Sequence, residues 1–237
     1  MKQLIIVPAW NEADALGPTL AEIRATVTGM DIVVVDDGST DATARIGSES
    51  GATVLQLPFN LGVGGAMRAG YEYAKRMGYD RAIQVDADGQ HDPADIERVM
   101  AGLDTADISI GARFAEKGDY IVRGPRKWAM SLLAAIVSRV AKTRLTDITS
   151  GFRAGNERAI EQYCRHYPAE YLGDTVDSLV GAIRSGLTVT QVPVSMRTRR
   201  AGTPSHNPFK SAVYLLRSMV ALGIALTRHA TSKGGNS

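Results

Sequence analysis

Hydrophobic positions fall into two alternating textures along the first part of the chain. Short runs are apolar almost without interruption: "QLIIVPA", "DIVVVDDGS", "ATVLQLP", "RAIQVDAD" and "DISIGAR". Between them lie longer stretches such as "PTLAEIRATV" and "GGAMRAGYEYAKRMG", whose apolar residues recur at helical spacing. Strands that are apolar at nearly every position are covered on both faces, so the pattern predicts an α/β fold with a mostly parallel sheet between helical layers. Ligands of such sheets bind beyond the carboxyl ends of the strands. Pro8–Glu12, Asp36–Ser39, Asp86–Gln90 and Arg113 all fall there. A later run, "TVTQVPVSM", reads as one more strand, and "RTRRAGTPSH" as a mobile loop after it. No tandem repeat or low-complexity linker breaks the chain, and residues 230–237 are expected to be a disordered tail.

The densest chemistry sits in "AIQVDADGQHDP". Asp86 and Asp88 would point to opposite faces of a regular strand, so they can share a ligand only if the chain bends at Ala87. Gly89 makes that bend feasible. With Gln90 they form a hard-oxygen set suited to Mg²⁺ or Mn²⁺ that leaves coordination positions open for phosphate oxygens. An EF-hand loop has the same ligand spacing, but it requires glycine where this chain has His91 and a helix where it has a strand. A purely structural turn is the remaining alternative. His91 reads as an outer-shell or exposed residue, because the aspartates and Gln90 already supply oxygen donors.

Two other segments border the same rim. In "VVVDDGSTDAT", Asp36 and Asp37 end a buried strand, Ser39 or Thr40 is placed to cap the next helix, and an exposed carboxylate there can accept from a base N–H or a ribose hydroxyl. One of the two aspartates is open to a structural reading. "NLGVGGAMRAG" opens a helix with glycines, including Gly64, that allow a phosphate or base to approach the backbone. It matches neither a Walker A loop nor the dinucleotide fingerprint, and a tight strand-to-helix turn explains it equally well.

Composition sets limits on this picture. The 237 residues, 44% of them hydrophobic, suffice for one sizeable domain and a smaller appendage. The one cysteine, Cys164, has nothing to pair with inside the chain, and "MKQLIIVPAW" is too short an apolar run for a secretory core, so a reducing, cytoplasmic setting is expected. The net charge of +2 hides an asymmetry: residues 1–110 hold 8 basic and 17 acidic side chains, and the remainder 19 and 8. An acidic part that handles a cation and a basic part that meets anions fit that split. Nucleic acid is not expected, since the basic part interleaves apolar helices rather than aromatic stacking platforms.

"VPAWNE", "VVDDGSTDAT", "NLGVGGAMRAG", "DADGQHDP", "GARF" and "DITSGFR", in that order, resemble family 2 glycosyltransferases with the GT-A fold, over about residues 3–200. "DADGQ" and "DITSGFR" are most similar to the polyprenyl-phosphate glycosyltransferases, the dolichol-phosphate mannose synthase type. The resemblance implies a GT-A domain over 1–207, with a nucleotide-sugar half at 1–113 and an acceptor half at 114–207. It implies that Pro8, Trp10, Glu12, Asp36, Asp37, Asn60, Gly64 and Asp86 serve the nucleotide. Asp86, Asp88 and Gln90 would hold the metal on its diphosphate. Arg113 would sit by the phosphates, with Arg126 and Arg199 directed to the lipid phosphate and the loop that closes on it; Asp88 and these arginines form the catalytic set. The loop departs from the pattern Arg-x-x-Gly-x-Ser-Lys common in relatives: Arg199, Gly202, Ser205 and His206 span one residue more.

The same residues carry an argument about mechanism. No convincing general base for a sugar hydroxyl is evident, with Asp147 and Asp174 as the candidates should the acceptor be a hydroxyl. A phosphate acceptor needs none, and the expectation is a single inverting displacement giving a lipid-linked sugar. A non-catalytic nucleotide-sugar-binding subunit is the alternative from another class. "RKWAMSLLAAIVSRVAKTR", with Trp128, Leu132, Leu133, Ile136, Val137 and Val140 at helical spacing, suits an interfacial helix or a core helix covering the sheet. Residues 208–229 read as a second amphipathic, membrane-associated helix interrupted by Arg217. A peripheral position on the inner face of a membrane follows, beside a small membrane-embedded partner.

Overall fold

The computed structural model describes residues 1–112, 125–167 and 174–198. It opens with the strand β1 (Gln3–Ala9), in which Leu4, Ile5, Ile6 and Val7 are all fully buried. Alternation explains this. Leu4 and Ile6 belong to one hydrophobic core, Ile5 and Val7 to another, so the continuous apolar run serves both faces of the sheet.

The remaining elements follow as α1 (Ala13–Thr26), β2 (Asp31–Asp36), α2 (Thr43–Glu49), β3 (Thr53–Gln56), α3 (Gly62–Arg76), β4 (Arg81–Gln84), α4 (Ile96–Ala101), β5 (Ile108–Ala112), α5 (Pro125–Ala141), β6 (Arg153–Asn156), α6 (Glu157–Arg165), α7 (Asp174–Arg184) and β7 (Val189–Pro193). Among the described residues seven strands form one sheet in the order β3-β2-β1-β4-β6-β5-β7. All neighbours pair in parallel except β6, which is antiparallel to both β4 and β5. The predicted mostly parallel sheet is present, and the five apolar runs and "TVTQVPVSM" each contain a strand.

Helices α1 and α4 pack on one face and α3, α6 and α7 on the other. In α1 the buried positions are Ala15, Leu16, Thr19, Leu20 and Ile23, a single stripe at helical spacing. In α3 they include Ala66, Met67, Gly70, Tyr71 and Ala74. A Cβ on Gly70 would lie 2.5 Å from the Ile6 side chain, so that glycine lets α3 approach the sheet closely. Each fully buried Leu, Ile, Val or Met contributes roughly 1.5–3 kcal/mol of transfer free energy.

β6 changes what the sheet presents at its working edge. Because it runs against its neighbours, its amino end lies beside the carboxyl end of β4. The segment entering it, Ile148–Phe152, is thereby delivered to the rim where ligands of parallel sheets bind. Arg153, 1% exposed, fastens that segment: Nε and Nη2 donate to the Ser150 carbonyl at 3.1 and 2.9 Å, Nη2 to Ile148 at 3.3 Å and Nη1 to Thr175 at 2.9 Å. A guanidinium this deep is satisfied by carbonyls that fix a loop.

Candidate active site

Three loops meet at the carboxyl rim, and the first two are laced together. Asn11, in the left-handed region at φ 51, donates its N–H to Ser39 Oγ (2.9 Å) and accepts at Oδ1 from the Thr40 N–H (2.9 Å). Glu12 donates its N–H to Thr43 Oγ1 (2.9 Å), and Ala13 to Asp41 Oδ2 (3.1 Å). A non-glycine residue held at positive φ is uncommon, and such outliers cluster at ligand sites. Pro8 is the penultimate residue of β1 behind this junction, and Trp10 stands 44% exposed on it. The capping expected of Ser39 or Thr40 is not made: α2 follows Ala42 with no side-chain cap, although Asp41 Oδ1 accepts from the Thr43 N–H at 2.9 Å. Ser39 and Thr40 lie three and two residues before Ala42 and are occupied by Asn11.

Asp36 and Asp37 are both sunk into the rim, at 4% and 3% exposure. Asp36 Oδ1 accepts from the Ser39 N–H (3.1 Å). Asp37 Oδ1 accepts from the Leu61 N–H (2.7 Å), so it reaches across and holds the start of α3. Burial pushes the Asp37 carboxyl above its ordinary value; the Leu61 and Gly62 amides pull it down, and the neighbouring Asp36 charge pushes it up. Asn60 Oδ1 accepts from the Gly62 N–H (3.0 Å), and Gly64 is buried within the first turn of α3. Gly38 is indispensable to this packing. Its φ is +70, and a Cβ there would lie 2.7 Å from the backbone of Phe59.

The third loop is the turn after β4. The strand ends at Gln84, and residues 87–88 form a turn, so the bend expected at Ala87 is real. Two hydrogen bonds and a glycine conformation fix it: the buried Thr19 hydroxyl donates to the Ala87 carbonyl (3.0 Å), the Gln90 N–H donates to Asp88 Oδ1 (3.0 Å), and Gly89 takes φ 75. Asp88 is 6% exposed, whereas the Asp86 side chain is 36% exposed. From beneath, Gln84 Nε2 donates to Asp86 Oδ1 (2.9 Å). Gly151, brought in by β6, closes the other side: a Cβ there would stand 2.9 Å from Gln84 Nε2 and 3.5 Å from both Asp86 carboxylate oxygens.

A family model, glycosyl transferase family 2, matches residues 4–164. An undecaprenyl-phosphate mannosyltransferase of Micrococcus luteus is 33% identical over 85% of this chain and 86% of its own length. A polyprenol monophosphomannose synthase of Mycolicibacterium smegmatis is 28% identical over 85% of this chain and 79% of its own length. The chain belongs to glycosyl transferase family 2. Among solved structures, glucosyl-3-phosphoglycerate synthase from Mycobacterium tuberculosis, in complex with Mn²⁺, UDP and glucosyl-3-phosphoglycerate, superposes with a TM-score of 0.71 at 21% identity. The match covers 93% of this chain and 78% of that one, and the GT-A architecture expected from the motifs is the one observed.

In this glycosyltransferase the rim residues suit a hard divalent cation. Asp86 is presented to solvent while an amide from Gln84 fixes it from behind, and Asp88 and Gln90 lie in the same short turn. Among the described residues no group of three or more His, Cys, Asp or Glu side chains is placed to hold a metal ion unaided. Two carboxylates and a carboxamide are the smaller set that keeps positions open for diphosphate oxygens.

Arg113, Arg199 and residues 208–237 lie outside the described residues, as do the side chains of Arg126 and Asp174. Asp147 is half-buried, and its Oδ1 accepts from the Thr149 N–H and hydroxyl at 3.2 and 3.0 Å. Of the two readings of "RKWAMSLLAAIVSRVAKTR", the core helix is the one that the described side chains of α5 support: Leu133 and Val137, each 1% exposed, sit in the core, with Ile136 and Val140 packed against it, while the side chains of Trp128 and Leu132 lie outside the described residues. No helix among the described residues is long and apolar enough to cross a membrane. Sequence reasoning missed Gln84, Gly151 and Thr19. The buried polar Gln84, following Ala82 and Ile83 in β4, was the available signal. A separate cavity of about 260 Å³, lined by Arg24, Asp31, Thr53 and Tyr79, lies at the amino ends of β2 and β3, away from this rim.

Proposed function

We propose that this glycosyltransferase moves a sugar from a nucleotide-sugar donor to polyprenyl phosphate, with inversion, giving a lipid-linked sugar for envelope glycan assembly. The observation that carries the reading is the Asp86–Gln90 turn, bent at Ala87 and Asp88 on the carboxyl rim and walled by Gly151 of "DITSGFR". The M. luteus and M. smegmatis relatives, named for undecaprenyl phosphate and polyprenol, support a lipid phosphate as acceptor.

In this reading the laced loops at Asn11 and Ser39, with Trp10 and the carboxylates behind them, receive the base and ribose. Asp86, Asp88 and Gln90 hold Mg²⁺ or Mn²⁺, a pairing supported by the Mn²⁺ and UDP bound together in the M. tuberculosis synthase. When bound, the cation neutralises charge on the departing diphosphate. The protein needs no general base, because a phosphate monoester with a second pKa of about 6 is mostly dianionic near neutrality. Its task is to place that oxygen in line with the anomeric carbon. Arg113, Arg126 and Arg199 are assigned to the two phosphates, and the enzyme works peripherally at the inner membrane face.

The test is transfer from a panel of labelled guanosine- and uridine-diphosphate sugars into vesicles carrying polyprenyl phosphate, with and without EDTA. EDTA-sensitive label that extracts into organic solvent and is released by mild acid is the expected result. Label passing only to a soluble hydroxyl acceptor would overturn the lipid assignment.

A further inference from the structure

His91 lies against Asp86, one of the metal-ligand candidates, and is 2% exposed. Its ring is stacked on Phe152, with centroids 4.6 Å apart and planes 12° from parallel. Nδ1 accepts a hydrogen bond from the backbone N–H of Asp86 at 3.0 Å. An imidazole that accepts at Nδ1 carries a proton at Nε2. Nε2 stands 3.6 Å from Asp86 Oδ2, beyond direct hydrogen-bond length, so that oxygen keeps its lone pairs.

The backbone around His91 is tied as firmly as the ring. His91 bridges Met196 in antiparallel fashion, and the Arg197 N–H donates to the Gln90 carbonyl (2.9 Å). The Ser195 N–H donates to Asp95 Oδ2 (2.8 Å), and Arg197 Nη2 meets Asp92 Oδ1 (2.7 Å). Phe152 comes from the segment that Arg153 fastens. His91 therefore joins the turn after β4, the entry to β6 and the exit from β7.

We infer that His91 is a positioning residue: by accepting the Asp86 N–H while wedged against Phe152, it sets the direction in which the Asp86 carboxylate meets the cation. The inference deepens the function proposed above and rests on its metal site. Outer-shell partners of ligating groups govern affinity through orientation, and their loss typically costs about 10–100-fold.

Two substitutions separate the acceptor from the packing. His91→Phe keeps a flat ring against Phe152 and removes the acceptor; His91→Asn keeps an acceptor oxygen near the position of Nδ1. The experiment titrates Mn²⁺ into the full chain with saturating nucleoside diphosphate, reading free Mn²⁺ by electron paramagnetic resonance beside the melting temperature. Expected is an apparent Mn²⁺ dissociation constant raised about 10–100-fold in H91F and largely restored in H91N. H91F within twofold of wild type, or equal losses in two folded variants, would overturn the inference while leaving the metal site intact. Wild type that binds no Mn²⁺ would overturn both. Should H91F not fold, ¹⁵N spectra of the wild-type histidines, assigned by the signal missing in H91N, decide instead: a proton on Nε2 and a resonance that moves with Mg²⁺ plus nucleotide is expected, and a proton on Nδ1 would overturn it.

Discussion

Asp37 and Asp107 are buried almost equally, at 3% and 5%, but they stand at opposite ends of the sheet and are treated in opposite ways. Asp107, just before β5, receives the Thr188 N–H (2.8 Å) and hydroxyl (2.9 Å), Asn156 Nδ2 (3.0 Å) and Arg158 Nη1 (3.0 Å). Burial pushes its carboxyl up, but those donors outweigh burial and hold it below the ordinary value. Asp37, at the rim, is pushed up by burial with two backbone amides and no guanidinium among the described residues to answer it. A carboxylate that exists to hold strands together is saturated with donors. In the reading proposed above, Asp37 is a carboxylate of the nucleotide rim whose burial outweighs its donors, a cost the fold tolerates.

The contrast breaks most visibly at the turn after β4. Asp88→Ala is expected to lower transfer by about a thousandfold or more, since several kcal/mol of stabilisation of the leaving diphosphate are lost. The melting transition should survive, and a folded D88A enzyme with near-normal turnover would undo the assignment of this rim. At the other end Asp107→Asn should act on stability alone. Leaving buried donors poorly matched costs about 1–3 kcal/mol, measurable by urea unfolding, with transfer by the folded protein unchanged.

Acid titration of stability sharpens the comparison, because the two carboxylates carry opposite signs. The folded state holds the Asp37 proton more tightly than the unfolded chain does, so its contribution is best below the carboxylate range and worsens as pH rises through the raised value. Asp37→Asn should therefore gain on wild type with rising pH, while binding nucleotide more weakly. The Asp107 contribution is present above the ordinary carboxylate value and disappears as pH falls through its lowered one. The deficit of D107N should accordingly shrink in acid. Parallel curves for D37N and D107N would refute the comparison. The smallest effect belongs to Arg158→Ala, expected at under about 1 kcal/mol because that side chain is 62% exposed. A loss as large as that of D107N would mean that charge, and not the Thr188 and Asn156 donors, secures this end.

The five apolar runs were legible as strands because burial on both faces leaves no room for polar residues, and Leu4 to Val7 show that directly. The bend at Ala87 was legible from two aspartates spaced for opposite faces with a glycine just beyond. β6 was not: "RAGN" offers four residues with a charge and a glycine, and it becomes a strand only because β4 and β5 flank it and carbonyls of Ile148, Ser150 and Thr175 absorb the Arg153 charge. Asp37 reads in sequence like an exposed ligand. Its turn inward to the Leu61 amide depends on a loop 24 residues away, which local spacing does not encode.

The clasp of Ser195 to Arg197 over Gln90 to Asp95 has a consequence for the order of assembly during synthesis. Ser195 and Asp95 are separated by 100 positions along the chain. At about 5–20 residues per second, a ribosome makes the Asp86 turn roughly 5–20 s before the segment that pins it exists. Over that interval the turn lacks the hydrogen bonds from residues 195–197. Its last hydrogen bonds can form only once translation has passed Arg197.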